Sequence, residues 1–393
     1  MASVLMDKIG RKNSLLCAAI PYLISWFIIG LTQRLGFLLL ARCIGGIGDG
    51  VVYTILPVYI AEIVDPQIRG FVISFVGILA IFGGLLINVY GYYLNIAYSS
   101  LLCAVPSSIF LIFFYFLPET PNYFIVRKNL NKAREVLGRI RGRQIDESEI
   151  EDLVKINEEG LVKASIFDLF RVRGNRRGLF IFMGTMTTQQ FSGIIPIMFY
   201  TQTIFEEAAA DFPVIASTVL LYIVLIIFSS VSAVIVDRLG RRPLIITSTA
   251  LSCLFLLTEG VNLYIKSEGG VGNVGSSWVT IVDLSFLIVS FSIGLLSIPT
   301  VFQGEFFPLN VKAAAVCFCN IYFAVMASIA AKLFQITNDK YGLYFPFFMF
   351  SVVCGLGLVF AVIFVPETKN KTLEEIQIEL KALNIDAKNV TKL

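Results

Sequence analysis

Asp237-Arg238-Leu239-Gly240-Arg241-Arg242 is a charged knot between two long apolar runs. An echo of it stands near the beginning of the chain, as Asp7-Lys8-Ile9-Gly10-Arg11-Lys12. Four apolar runs after each knot comes the same triplet, Pro118-Glu119-Thr120 after the first and Pro366-Glu367-Thr368 after the second. Knot, four runs and triplet recur in order, so the chain is an internal duplication. Its fold class follows from what the runs are made of.

Hydrophobic residues make up 56% of the 393 residues and charged ones 15%, with 34 Phe and a mean hydropathy of +0.80. A helix needs about 20 apolar residues to cross about 30 Å of hydrocarbon, and runs of that length recur throughout. This is the composition of an all-α polytopic membrane protein. The chain has no histidine, which removes the usual neutral-pH proton shuttle, the commonest metal ligand and the base of most hydrolytic triads. All seven cysteines fall inside apolar runs and read as small buried apolar side chains, not as a disulfide or metal framework. No nucleophile–base pair, metal cluster or cofactor motif is visible, so an enzyme is not expected, nor a nucleic-acid partner. The opening residues are too short for the apolar core of a cleavable signal.

Ten spans are expected, at roughly 13–33, 36–60, 71–94, 96–117, 179–204, 213–236, 243–265, 279–301, 313–335 and 343–365. Arg34, Lys266, Lys332 and Lys340 fall on one side of this layout and Arg42 inside a span; every other Lys and Arg falls on the opposite side. The positive-inside rule puts that basic side, with both termini and the long middle segment, in the cytoplasm. The expected domains are a four-span half at 1–117, a cytoplasmic linker at 118–178, a six-span half at 179–365 and a cytoplasmic tail at 366–393. Helical spacing is visible within the linker at Leu130 to Arg141 and Asp146 to Glu159, with a short turn at Ile166 to Phe170, and within the tail at Leu373 to Leu383. Two spans separate the linker from the second knot, but only six residues precede the first. The expectation is a four-plus-six arrangement in which the first half starts two helices late. Parallel repeats joined by a cytoplasmic loop are a transporter architecture, with the substrate held between the halves.

Charges stand in matching places at the cytoplasmic ends of both halves. Acidic Glu62, Glu119, Glu305 and Glu367 accompany basic Arg11, Arg69, Arg241, Arg242 and Lys312, with Asp7 and Asp237 in the knots themselves. Charge at membrane depth is expensive unless paired, so these residues are expected to form a network of pairs across the two halves that closes an inner gate and breaks when it opens. In mid-span, Gln189 and Gln190 offer both donors and acceptors to a hydroxyl-covered solute; the plainer reading is an interhelical tie. The glycine-rich Gly45-Gly46-Ile47-Gly48-Asp49-Gly50 has no strand before it and reads as close helix packing, not a nucleotide loop. Asp49 within it is an intramembrane acid and a functional candidate, with proton coupling as a role for such an acid.

Here the residues carry a family likeness. The chain resembles the sugar porters of the major facilitator superfamily, and looks closest to their facilitated trehalose-transporter branch. The matching stretches are Asp7-x-x-Gly10-Arg11-Lys12, Arg42-x-x-Gly45, Pro57-Val-Tyr-Ile-Ala-Glu62 with Arg69-Gly70, Pro118-Glu119-Thr120-Pro121, Gln189-Gln190-Phe191-Ser192-Gly193, Asp237-x-x-Gly240-Arg241-Arg242 and Pro366-Glu367-Thr368-Lys369. The resemblance implies a major facilitator fold, twelve helices in the family and about ten here, without helix 1 and most of helix 2. It implies alternating access for a small-molecule sugar in a cell membrane, with Gln189, Gln190 and Asn320 as sugar contacts, Tyr200 as an aromatic outer gate and Phe291 as an aromatic flank. Ile195, Gly77, Leu225, Ser292 and Thr300 stand where the family carries polar or stacking contacts, which leaves a more apolar cavity. Two readings stay open: a sugar facilitator, and a non-transporting or partial sugar-porter derivative such as a sensor.

Overall fold

The computed structural model describes residues 2–142, 150, 154, 168–209, 211–267, 277–369, 371 and 373–382. Among the described residues the regular structure is all helical. The chain divides into two compact units, Met1–Val162 and Lys163–Leu393.

In the first unit, α1 (Ala2–Ile9) leads through Gly10 into α2 (Arg11–Leu31), followed by α3 (Leu35–Ile63), α4 (Pro66–Tyr93) and α5 (Ile96–Phe114). α2 is central and packs on α3 and α5, while α4 leans more lightly on both of its neighbours. Leu15, Ile55, Tyr59 and Phe114 form the core between them. Phe71, Phe113 and Phe116 point outward, as a hydrocarbon-facing surface allows. Two short helices follow, α6 (Pro121–Val126) and α7 (Leu130–Arg141). The Asn129 side chain caps α7 by accepting from the Lys132 N–H, and Leu137 packs against Ile150 and Val154. The helix expected over 146–159 lies outside the described residues except at those two positions.

The second unit runs through α8 (Asp168–Arg171), α9 (Arg173–Gln190), α10 (Ile194–Phe199), α11 (Thr201–Ala208), α12 (Val214–Leu239), α13 (Arg241–Ser267), α14 (Ser277–Ile293), α15 (Ile298–Glu305), α16 (Leu309–Tyr341), α17 (Tyr344–Phe364) and α18 (Leu373–Ala382). α13 packs between α14 and α17, and α12 lies on α14. Phe302, Phe306, Phe334, Phe347 and Phe350 fill the interior. The tail helix α18 docks on the start of α9, where Arg177 Nη1 donates to the Leu380 carbonyl at 2.9 Å.

Nine of the described stretches are long and apolar enough to cross a membrane, four in the first unit and five in the second. The tenth expected span, 179–204, falls on α9 to α11. Gly193 at φ 78° turns the backbone there, and Ser192 Oγ donates to the Gln189 carbonyl at 2.7 Å. The longest piece, α9, has 18 residues but carries Arg173, Arg176 and Arg177 at its start, and it is not apolar enough to count as a span alone. The span expected at 279–301 is broken as well, between α14 and α15, where Pro299 opens the second piece.

Candidate functional site

Both knots fold into the same device. Gly10 has φ 94° and ψ 167°, and Gly240 has φ 95° and ψ 158°, a region essentially reserved for glycine. Each turn exposes the first N–H groups of the next helix, which have no partner within that helix. A distant carboxylate takes them. Glu119 accepts from the N–H groups of Arg11 at 3.0 Å and Lys12 at 3.1 Å, and Glu367 from those of Arg241 and Arg242, both at 3.0 Å. Negative charge at a helix N-terminus also meets the positive end of the helix dipole. Burial pushes the Glu367 carboxyl up, but the backbone N–H groups of Lys369, Arg241, Arg242 and Thr368 outweigh it and hold the group below its ordinary value.

The arginine after each glycine reaches a neighbouring helix. Arg11 Nη2 donates to Glu62 Oε1 at 3.2 Å, with Nε 3.1 Å from Oε2. Arg241 Nη2 donates to Glu305 Oε1 at 3.1 Å. The next basic residue ties the closing segment: Lys12 Nζ donates to the Tyr115 carbonyl at 2.7 Å and Arg242 Nη2 to the Val362 carbonyl at 2.9 Å. Lys312 Nζ donates to the Gly304 carbonyl at 2.9 Å, and burial lowers its pKa. The side chains of Asp7, Arg69 and Asp237 lie outside the described ones. Each described pair is thus closed inside its own unit.

Gln189 and Gln190 end α9 and are both buried. Pro299 has no N–H to give to the carbonyl of Leu295, four residues back. Gln189 Nε2 supplies that donor, at 2.7 Å to Leu295 O and 3.1 Å to Leu296 O. Gln190 Nε2 donates to Gln189 Oε1 at 3.2 Å, which leaves Gln190 Oε1 buried with no partner among the described residues. Phe291, also buried, lies beside the same break, its carbonyl accepting from the Leu296 N–H at 3.0 Å. Asn320 is linked to that broken helix through Gln303, whose Nε2 donates to Asn320 Oδ1 at 3.1 Å. Tyr200, at the α10–α11 junction, stacks on Phe334 with ring centroids 5.2 Å apart. The arrangement is an amide pair at a broken helix with one buried acceptor unpartnered among the described residues, the kind of group that accepts from a hydroxyl.

The model of the sugar (and other) transporter family matches residues 1–380. The chain belongs to that family. It is 32% identical over 378 residues to the facilitated trehalose transporter Tret1 of Culex quinquefasciatus, covering 95% of this chain and 72% of that protein. It is 32% identical over 378 residues to the Tret1 of Anopheles gambiae, covering 95% of this chain and 47% of that one. The inward-open xylose transporter XylE from E. coli shares the fold, with a TM-score of 0.80 and 22% identity, covering 96% of this chain and 85% of that chain. The proton:xylose symporter XylE bound to 6-bromo-6-deoxy-D-glucose does so with a TM-score of 0.76 and 22% identity, covering 95% and 84%. The chain is therefore a multi-pass membrane protein with the major facilitator fold, and a transporter-family member, not an enzyme.

Two further acidic groups lie inside the helices, one absent from the sequence-based candidates and one present there without its partner. Glu259, inside α13, is fully buried. Its Oε2 accepts from Asn262 Nδ2 at 3.2 Å, and the same amide donates to Thr280 Oγ1 at 3.1 Å. The signal was available, an acid within an apolar run, but its partner on α14 was not. The second group, Asp49, has a partner: the Tyr22 hydroxyl on α2 donates to its carboxylate.

Proposed function

We propose that this chain moves a neutral sugar of the trehalose or hexose class across the cell membrane by facilitated, alternating-access diffusion, with both termini cytoplasmic. In this reading residues 1–117 and 179–365 are the two moving halves, 118–178 the linker and 366–393 the tail. The observation that carries it is the Gln189–Gln190 pair at the α14–α15 break, where Gln190 Oε1 is buried without a partner among the described residues and gains one when the site opens to a sugar hydroxyl. Asn320, Tyr200 and Phe291 complete the substrate contacts. Asp7, Arg11, Glu62, Arg69, Glu119, Asp237, Arg241, Arg242, Glu305, Lys312 and Glu367 form the gate charges, whose paired arrangement favours one state and is given up in the other. The trehalose transporters among its relatives support the substrate class. The test is uptake of labelled trehalose and glucose by transport-null cells expressing the chain. Uptake that Gln190→Ala weakens supports the reading; equal uptake by wild type and the Gln189→Ala/Gln190→Ala double variant removes the site.

A further inference from the structure

Asp49 is the central residue of the 29-residue α3. Tyr22 lies one position past the centre of the 21-residue α2. Both therefore stand at mid-membrane depth, where substrate sites of duplicated transporters lie. The glycine run builds this position. Gly48 faces α2 so closely that a Cβ there would meet the Ala18 carbonyl and the Tyr22 ring at 3.1 Å, which lets the tyrosine cross over α3 and reach the carboxylate. Gly46 and Gly50 flank Asp49 on its other side, and a Cβ on either would meet nothing within 4 Å. Asp49 has no cationic partner among the described residues; its one hydrogen bond is from Tyr22.

Arg42, Gly46, Asp49, Gly50, Tyr53 and Pro57 follow one another at helical spacing and are all exposed on α3 of this unit. Two formal charges on one face of a membrane helix are too costly to turn toward lipid, so this face meets water or a polar solute. Tyr53, one turn after Asp49, presents its ring on the same face, 63% exposed. A carboxylate aligned by a hydroxyl donor, beside an aromatic ring and with open space at two glycines, is the chemistry that holds a pyranose: adjacent hydroxyls donate to the carboxylate and the sugar's C–H face lies on the ring.

We propose that Asp49, aligned by Tyr22, is a substrate-contacting and charge-selecting residue of the transport path, taking two hydroxyls of a pyranose or the ammonium group of an amino sugar and rejecting anionic sugars. This rests on the sugar-transport reading above. The test uses the full chain reconstituted in liposomes. Entry of labelled glucose is competed by glucosamine and by glucuronate, for wild type, Asp49→Asn, Asp49→Glu and Tyr22→Phe. Wild type is expected to prefer glucosamine by about tenfold, the scale of one charge-assisted hydrogen bond. Asp49→Asn should lose that preference, Asp49→Glu should keep it and Tyr22→Phe should weaken it. A purely structural defect lowers entry of every sugar alike and leaves the ratio unchanged. An unchanged ratio in Asp49→Asn overturns the assignment, also where that variant instead loses a response to a pH gradient, because Asp49 would then be a proton site. Wild type that carries no sugar overturns it together with the transport reading, and so separates the two failures.

Discussion

Glu367 occupies the space that a side chain on Gly240 would need. A Cβ built on Gly240 comes within 2.8 Å of Glu367 Oε2, and one on Gly10 within 2.2 Å of Glu119 Oε2. The glycine and the carboxylate are two parts of one helix cap, made twice from residues more than a hundred positions apart. Gly240→Ala and Gly10→Ala are expected to destabilise the detergent-solubilised protein. Backbone strain alone contributes about 1–3 kcal/mol, and displacement of the cap adds to it. Gly10→Ala, with the closer collision, should show the larger fall in melting temperature by fluorescence-detected chromatography.

The cap should also make stability depend on pH. Glu367 is held below its ordinary carboxyl value of 4.5 by its backbone donors. Its folded pKa is therefore depressed relative to the unfolded chain. The stabilisation is fully present above about pH 4.5 and is lost as pH falls through the depressed folded value. Thermal midpoints taken downward from neutral pH should drop more steeply in wild type than in Glu367→Gln. Parallel curves for the two proteins below pH 4.5 would show that the backbone donors do not favour the charged form.

The two arginine pairs should differ in worth. Arg11 and Glu62 are 9% and 11% exposed at the side chain, against 13% and 24% for Arg241 and Glu305. Removing one partner of a buried pair strands the other charge and costs about 3–5 kcal/mol. A more solvated pair costs less, because water screens what remains. Arg11→Met is thus expected to lower the melting temperature more than Arg241→Met. The double variant Arg11→Met/Glu62→Leu should recover most of the loss, and a double-mutant cycle on melting temperatures measures the coupling.

The helices were legible where an apolar run is long and bounded by charge, as at Arg11 and Lys340. The duplication was legible because the knots and triplets repeat residue by residue. What composition hides is the partner across the chain. Glu119 and Glu367 read as charges that would meet arginine side chains; instead they cap backbone N–H groups of α2 and α13, a role that no local spacing encodes. The break at Gly294 to Ser297 was hidden inside one apolar run, since hydrophobicity does not register which carbonyl loses its donor. Asp49 was legible as an acid without a partner, because Tyr22 lies on another helix.

Gln189 and Gln190 stand side by side, yet the structure divides their labour, and their variants should part accordingly. Gln189 Nε2 is already spent on the carbonyls of Leu295 and Leu296. Its truncation leaves buried acceptors at the break without their donor, a loss of about 1–3 kcal/mol, and frees α15 to move against α14. Gln190 Oε1 has no partner among the described residues to lose, so its truncation gives up the bond from its Nε2 to Gln189 Oε1 and removes an acceptor for substrate. Gln189→Ala should therefore lower the melting temperature and change the maximal rate of sugar entry. Gln190→Ala, which gives up one bond to oxygen against two, should lower the melting temperature less than Gln189→Ala and raise KM about tenfold. Gln189→Glu tests the same logic by charge, since a carboxylate set against two carbonyls repels where the amide donates, and it should be less stable than Gln189→Ala. Entry kinetics and thermal midpoints on the same preparations decide it. A rise in KM alone for Gln189→Ala, at unchanged stability, would make that residue a sugar contact and not a tie across the broken helix.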